Sequence, residues 1–282
     1  MKQFTARHPW AILAAGAAIQ ILTGLPAAWG VFQQPVMDEF SLTEDGAGYA
    51  FGILIAAFGV GCVIGGFLQD KKGPRCAALW GTGLLCGGFF AAALLPGEKG
   101  AWFWAVFSIP AGLGTAFLYP SIQSCAQKWY AGRKGLATGV IGGAVGLSGA
   151  FLTGFVRTAL KGFGPVQGIR GAFWALGVLT LPVCLVGSAL LTDPPTAKQK
   201  PEEQGRGKGT PALDLAPLQM LRTKQYWLCA GAVCFSTPAV LLFSPIILKL
   251  GMERGLDESA ALWAVVLGSV GSAAGRLLMP LL

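Results

Sequence analysis

Arg276 is the only charged residue within any of the long apolar runs of this chain. A guanidinium held in hydrocarbon costs at least about 2.5 kcal/mol unless it faces a water-filled cavity or a partner. Its five donors form a planar fork that can engage both oxygens of a carboxylate. The placement therefore offers an anion-binding group inside a membrane. The plainer reading is an arginine near its helix end whose long side chain snorkels to the interface.

A second constellation runs Gly66-Phe67-Leu68-Gln69-Asp70-Lys71-Lys72-Gly73-Pro74-Arg75. Here Gly66 would permit close helix contact, Asp70 could pair with a base or cap a neighbouring helix, and Gly73 would allow a tight turn. A basic loop that merely sets topology would account for Lys71, Lys72 and Arg75 but not for the two glycines. Chemistry of other kinds finds no support. The seven cysteines lie in or at the edge of apolar runs with none in a CxxC pair, and the one histidine, His8, precedes the first run. There is no phosphate-binding glycine loop and no metal-ligand cluster, so neither an enzyme nor an ATP-driven pump is expected, and no cofactor is called for.

These residues need helices that cross a bilayer to position them. Of 282 residues, 54% are hydrophobic and 12% charged, against about a quarter charged in soluble domains. The apolar residues fall into eight blocks: Trp10 to Phe32, Ala47 to Leu68, Ala77 to Leu95, Ala101 to Cys125, Gly135 to Phe155, Gly171 to Leu191, Tyr226 to Leu248, and Ser259 to Leu282. Each approaches or exceeds the roughly 20 residues that cross ~30 Å of hydrocarbon. The expected class is an all-α membrane protein. The first block is too long for the core of a removed signal peptide and lacks its cleavage site.

The net charge of +8 is distributed unevenly between alternate loops. If the N-terminus is cytoplasmic, the inner side holds Lys2, Arg7, Lys71, Lys72, Arg75, Lys128, Arg133, Lys134 and the bases between spans six and seven. Acids such as Asp38, Glu39, Glu44, Asp45 and Asp257 fall outside. This asymmetry predicts a multi-pass cell-membrane protein with its N-terminus inside and argues against a nucleic-acid partner. Arg157, Lys161 and Arg170 on the outer side go against the trend and suggest at most an attraction for anions.

Thr192 to Gln225 is rich in proline, glycine and charge and reads as a flexible linker. It divides the chain into residues 1–192, a six-helix bundle; 193–225, a cytoplasmic linker; and 226–282, the first two helices of a second bundle. The last span ends in apolar sequence, which suggests a C-terminally truncated chain. Gly61 to Asp70 and Gly275 to Leu282 also align weakly, in keeping with paired repeats. Span five carries Gly135, Gly139, Gly142, Gly143, Gly146, Gly149 and Gly154. Glycines at this spacing, Gly139, Gly143 and Gly146 in particular, expose bare backbone to a neighbouring helix, whether for static packing or for sliding.

The Gly66 to Arg75 segment resembles the signature loop of the major facilitator superfamily. The glycines of span five are only loosely similar to that superfamily's antiporter motif, whose proline is absent. Trp29-Gly30-Val31-Phe32-Gln33-Gln34-Pro35, Gly112-Leu113-Gly114 with Tyr119-Pro120, Lys128-Trp129-Tyr130 and Arg133 to Gly139 look like the oxalate/formate antiporter group, and monocarboxylate transporters share much of this pattern. The resemblance implies the major facilitator fold and alternating access, with the signature loop stabilising one facing state. It also implies exchange of a small organic anion, with Arg276 at the position of an anion-binding arginine in the eighth helix. The group's lysine in the eleventh helix would lie past Leu282. Gln33 and Gln34 offer amide donors to such a cavity, Tyr119 a hydroxyl and Trp29 a wall, although glutamines and tryptophans at these positions also suit an interface.

The first seven spans hold no buried carboxylate and the fourth no buried arginine, which favours exchange or uniport over proton antiport. The expected partners are the organic anion and the lipid bilayer, with the protein a monomer. Transport of a neutral or cationic solute, or a non-transporting membrane protein or fragment, remain the alternative readings.

Overall fold

A computed structural model describes residues 8–97, 100–194 and 217–281. Most of the linker expected over 193–225 lies outside the described residues, as do Lys2, Arg7, Glu98, Lys99, Lys198, Lys200, Arg206 and Lys208. Among the described residues every regular element is helical.

The membrane helices are α1 (Pro9–Phe40), α2 (Glu44–Lys72), α3 (Pro74–Leu94), α4 (Trp104–Trp129), α5 (Ala131–Gly164), α6 (Gly168–Leu190), α7 (Lys224–Glu253) and α8 (Glu258–Leu278). Among the described residues α1 to α6 and α8 are long and apolar enough to cross a membrane. The seventh expected span, Tyr226 to Leu248, falls on α7, which is helical over 30 residues. Several helices outrun their apolar blocks. At 34 residues, α5 is about 51 Å long, well beyond the ~30 Å hydrocarbon core. Arg157 and Lys161, expected in a loop, therefore sit on the projecting end of this helix. Arg170, also expected there, lies on α6 and pairs with Glu39 at 2.7 Å, so part of that outlying positive charge is neutralised.

Contacts divide the chain into two compact units, Met1–Asp193 with Ser244–Leu282, and Pro194–Phe243. In the first unit the core is an aromatic hub. Phe173 of α6 stacks on Phe32 of α1 at 5.8 Å and packs on Phe107 of α4 at 5.0 Å, while Phe40 and Phe103 meet at 4.9 Å. Lipid tails are as apolar as these rings, so shape and ring packing, rather than escape from water, hold the hub together.

Backbone irregularities have local causes. α1 breaks at Gly24, where an added Cβ would run into the side chain of Ser148 on α5. α4 begins with a wide turn, in which the Ile109 amide donates to the Trp104 carbonyl. Pro110 follows and has no N–H to continue an ordinary helix there. α2 and α3 are joined by one residue, Gly73, with φ +86° and ψ 164°, a region essentially confined to glycine. Its amide donates to the Gln69 carbonyl at 2.8 Å and closes α2.

In the second unit, the short helix Pro217–Met220 leads through Thr223 into α7. The Trp227 indole donates to the Leu221 carbonyl at 2.9 Å and ties the entry of α7 to that turn.

Candidate functional site

Within the first unit, α5 and α8 run side by side along a seam built from glycine. Proceeding along α5 from the end that holds the α2–α3 turn, Gly135 faces Pro280, Gly139 the Leu277 carbonyl and Gly142 the side chain of Arg276. Gly143 and Gly146 then face Ala273, and Gly149 faces Ser269 together with Ala27 of α1. A Cβ on Gly146 would lie 2.5 Å from the Ala273 amide nitrogen, and one on Gly139 would lie 2.9 Å from the Leu277 carbonyl oxygen. At that approach no side chain fits between the helices, and backbone contacts backbone.

One turn past Gly149 the seam meets a narrow crevice, too tight to admit a water molecule, lined by Ala27, Ala28, Gly30 and Val31 of α1, Thr153 of α5, Leu248 of α7 and Val265 of α8. The Thr153 hydroxyl is buried and has no hydrogen-bond partner among the described residues. An unpartnered buried hydroxyl calls for an explanation, and Thr153 could meet a solute only if α1, α5 and α8 moved apart. Sequence reasoning missed this wall. The available signal was one hydroxyl residue in a run of small and apolar residues, which is too common to single out.

The residues expected to bind substrate are not gathered at one point. Arg276 is exposed, with Cβ and Cδ lying on Gly142, and has no acid partner among the described residues. It lies eleven residues beyond Val265, about 16 Å along the α8 axis from the crevice. Gln34 shares a helical stripe with Ala27, Gly30 and Val31, but its amide donates to Asp38 Oδ1 at 2.9 Å, which brings a negative charge to that end. Gln33 is half-buried in the next position. Tyr119 is half-buried and meets Phe58 of α2 edge-on at 6.2 Å. Trp29 is almost fully buried, against Phe51 at 5.8 Å and Phe32, as part of the core.

In the α2–α3 turn, Asp70 and Lys71 are exposed and Arg75 is half-buried. The close approach expected at Gly66 occurs one position earlier. Gly65 and Gly61 face Phe117 and Ala116 of α4, whereas a Cβ on Gly66 would meet nothing within 4 Å among the described residues. A shift of one residue turns a helical position by 100°, so adjacent glycines face different surroundings.

At the other end of the bundle, Lys249 of α7 pairs with Glu44 at the start of α2 and approaches Glu253 at 3.9 Å. At the turn end, Lys128 pairs with Asp193 at 2.9 Å and the Trp129 indole donates to the Thr192 carbonyl at 2.6 Å.

Comparison with known proteins agrees with this architecture. The chain is similar to the uncharacterized MFS-type transporter YhjX of Escherichia coli (strain K12), with 25% identity over 98% of this chain and 66% of that protein. It is 23% identical to the oxalate:formate antiporter of Oxalobacter formigenes over 73% of this chain and 47% of that protein. The chain thus spans about half to two thirds of the length of these relatives. Among solved structures, the proton:xylose symporter XylE bound to 6-bromo-6-deoxy-D-glucose superposes with a TM-score of 0.53 at 15% identity, covering 98% of this chain and 56% of that one, which speaks to fold alone. The family model of the Major Facilitator Superfamily matches residues 11–282, and with the helical order and glycine-packed seam described above, the chain belongs to that superfamily.

Proposed function

We propose that this chain is part of a secondary transporter that exchanges a small organic anion, a carboxylate such as oxalate, formate or a monocarboxylate, by alternating access. The observation that carries the reading is Arg276. It is the one charge within an apolar span, it has no acid partner among the described residues, and its stem lies on the bare backbone of Gly142. An exposed guanidinium without a counter-ion, on a helix of a membrane bundle, is open to an anionic ligand. Similarity to an oxalate:formate antiporter supports the same class of substrate.

In this reading residues 1–192 form one rocking bundle, 193–225 the linker, and 226–282 the start of its partner, in a cell membrane with the N-terminus inside. The α5–α8 seam then closes the cytoplasmic half, with the crevice beside Thr153 on its outer side. Movement of the solute past the seam requires α8 to part from α5, which carries Arg276 between the cytoplasm and the crevice. Gly66, Asp70, Lys71, Gly73 and Arg75 bias one facing state. Gln33 and Tyr119 contribute polar groups toward the path. Gln34 does so only when released from Asp38, and Trp29 supports the wall from behind.

The test is uptake of labelled oxalate, formate or lactate into vesicles carrying the full-length protein. Saturable uptake accelerated by the same anion on the opposite side supports exchange. No uptake of any of the three, or uptake unchanged in Arg276→Ala, overturns the reading in favour of a neutral or cationic solute or a non-transporting role.

A further inference from the structure

A groove lies away from the seam, at the junction of α2 and α3, with a volume of about 670 Å³. Its mouth is set by Lys72 and Arg75, and its floor runs down α3 over Cys76, Leu79, Trp80 and Gly83 to Leu84. From Arg75 to Leu84 the floor descends about 14 Å. Two features distinguish this face of α3 from its packed face. Trp80 is 60% exposed although it lies within a membrane span, and a Cβ on Gly83 would meet nothing within 4 Å among the described residues. The same openness continues one turn on at Gly87, whereas Gly81 and Gly88 on the opposite face are tight against α4. The outer glycines therefore deepen a channel on the lipid side and are not needed for packing within the described chain.

The charge at the mouth is equally one-sided. Neither Lys72 nor Arg75 forms an ion pair among the described residues, and Asp70 stands outside the lining. Two cations above an apolar channel with an indole along its side match a molecule with an anionic head and a hydrocarbon tail. We infer that this groove is a binding site for an anionic phospholipid, its phosphate between Lys72 and Arg75 and one acyl chain along Leu79, Trp80, Gly83 and Leu84. The inference rests on the chain crossing a bilayer and is independent of the proposed substrate.

The test uses the full-length protein in vesicles of phosphatidylcholine containing a small, fixed fraction of bromine-labelled lipid, with quenching of Trp80 taken as the difference between wild type and Trp80→Phe. Bromine-labelled phosphatidylglycerol should occupy the groove roughly tenfold in excess of its bulk fraction. It should therefore quench Trp80 well above the level given by bromine-labelled phosphatidylcholine. Lys72→Gln with Arg75→Gln should bring the two lipids level, while Lys72→Arg with Arg75→Lys should keep the preference. The conservative pair is the control for folding, because it retains charge while altering both side chains. Equal quenching by the two lipids in wild type, or a preference that survives loss of both charges, would overturn the assignment. Relief of the quenching by millimolar inorganic phosphate would also overturn it, by showing a site for a free anion instead of a lipid.

Discussion

A lone arginine in an apolar helix has a function only if its setting makes it one, and Arg276 has the stem contact with Gly142 but no acid partner. Loss of a charge-assisted, two-pronged contact to a carboxylate is worth about 1.5–3 kcal/mol, or roughly 10- to 100-fold. Arg276→Ala should weaken carboxylate binding by that factor in the full-length protein. Arg276→Lys should lose less, because it keeps the charge but not the fork; equilibrium binding of labelled oxalate to purified protein measures both. Gly73 is a separate matter of backbone geometry. Its φ of +86° with ψ of 164° excludes side chains, so Gly73→Ala should lower stability by about 1–3 kcal/mol, read as the midpoint of thermal unfolding in detergent. The turn at Gly73 could be anticipated because a glycine between a helix end and a proline has few other uses. The burial of Trp29 could not, because a tryptophan near a span boundary suits a membrane interface equally well until the packing of α1 is known.

At the level of the helix, the informative comparison is between neighbouring glycines. Gly65 faces Phe117 so closely that a methyl group would lie 3.0 Å from its ring, and Gly66 faces open space among the described residues. Gly65→Val should therefore destabilise the bundle by about 1–3 kcal/mol through overpacking, while Gly66→Val should stay within about 0.5 kcal/mol. Thermal unfolding of the two variants side by side decides whether the close approach is at 65 or at 66. Hydropathy marks where a membrane helix lies but hardly how it is rotated, since lipid and protein interior are both apolar. That is why the blocks were legible along the chain while the packed face of α2 was not. The same limit applied to length: α5 extends past its apolar block because helical hydrogen bonding continues beyond Phe155 through Arg157 and Lys161.

For the molecule as a whole, the α5–α8 seam is the element on which alternating access would act. If the proposed cycle requires the seam to part, Gly143→Cys joined to Leu277→Cys by oxidation, with Cβ atoms 3.8 Å apart, should abolish exchange in vesicles, and reduction should restore it. Exchange that persists with the cross-link formed would remove the seam from the cycle. At the opposite end, the exposed pair of Glu44 and Lys249 is worth at most about 1 kcal/mol and is no comparable barrier.

The sequence by itself determined the all-α membrane class, the order of the helices, the tight turn at Gly73 and the family resemblance. Each of these depends on residue type and spacing along one chain, through the length of hydrocarbon to be crossed and the backbone that glycine permits. Only the tertiary structure decided that the glycines of α5 lie against α8, that Thr153 borders the crevice while Arg276 stands about 16 Å from it along α8, and that Lys72 and Arg75 overhang an open groove. Those facts depend on the rotation and depth at which helices meet, and in an apolar solvent such contacts are chosen by shape between partners far apart in sequence.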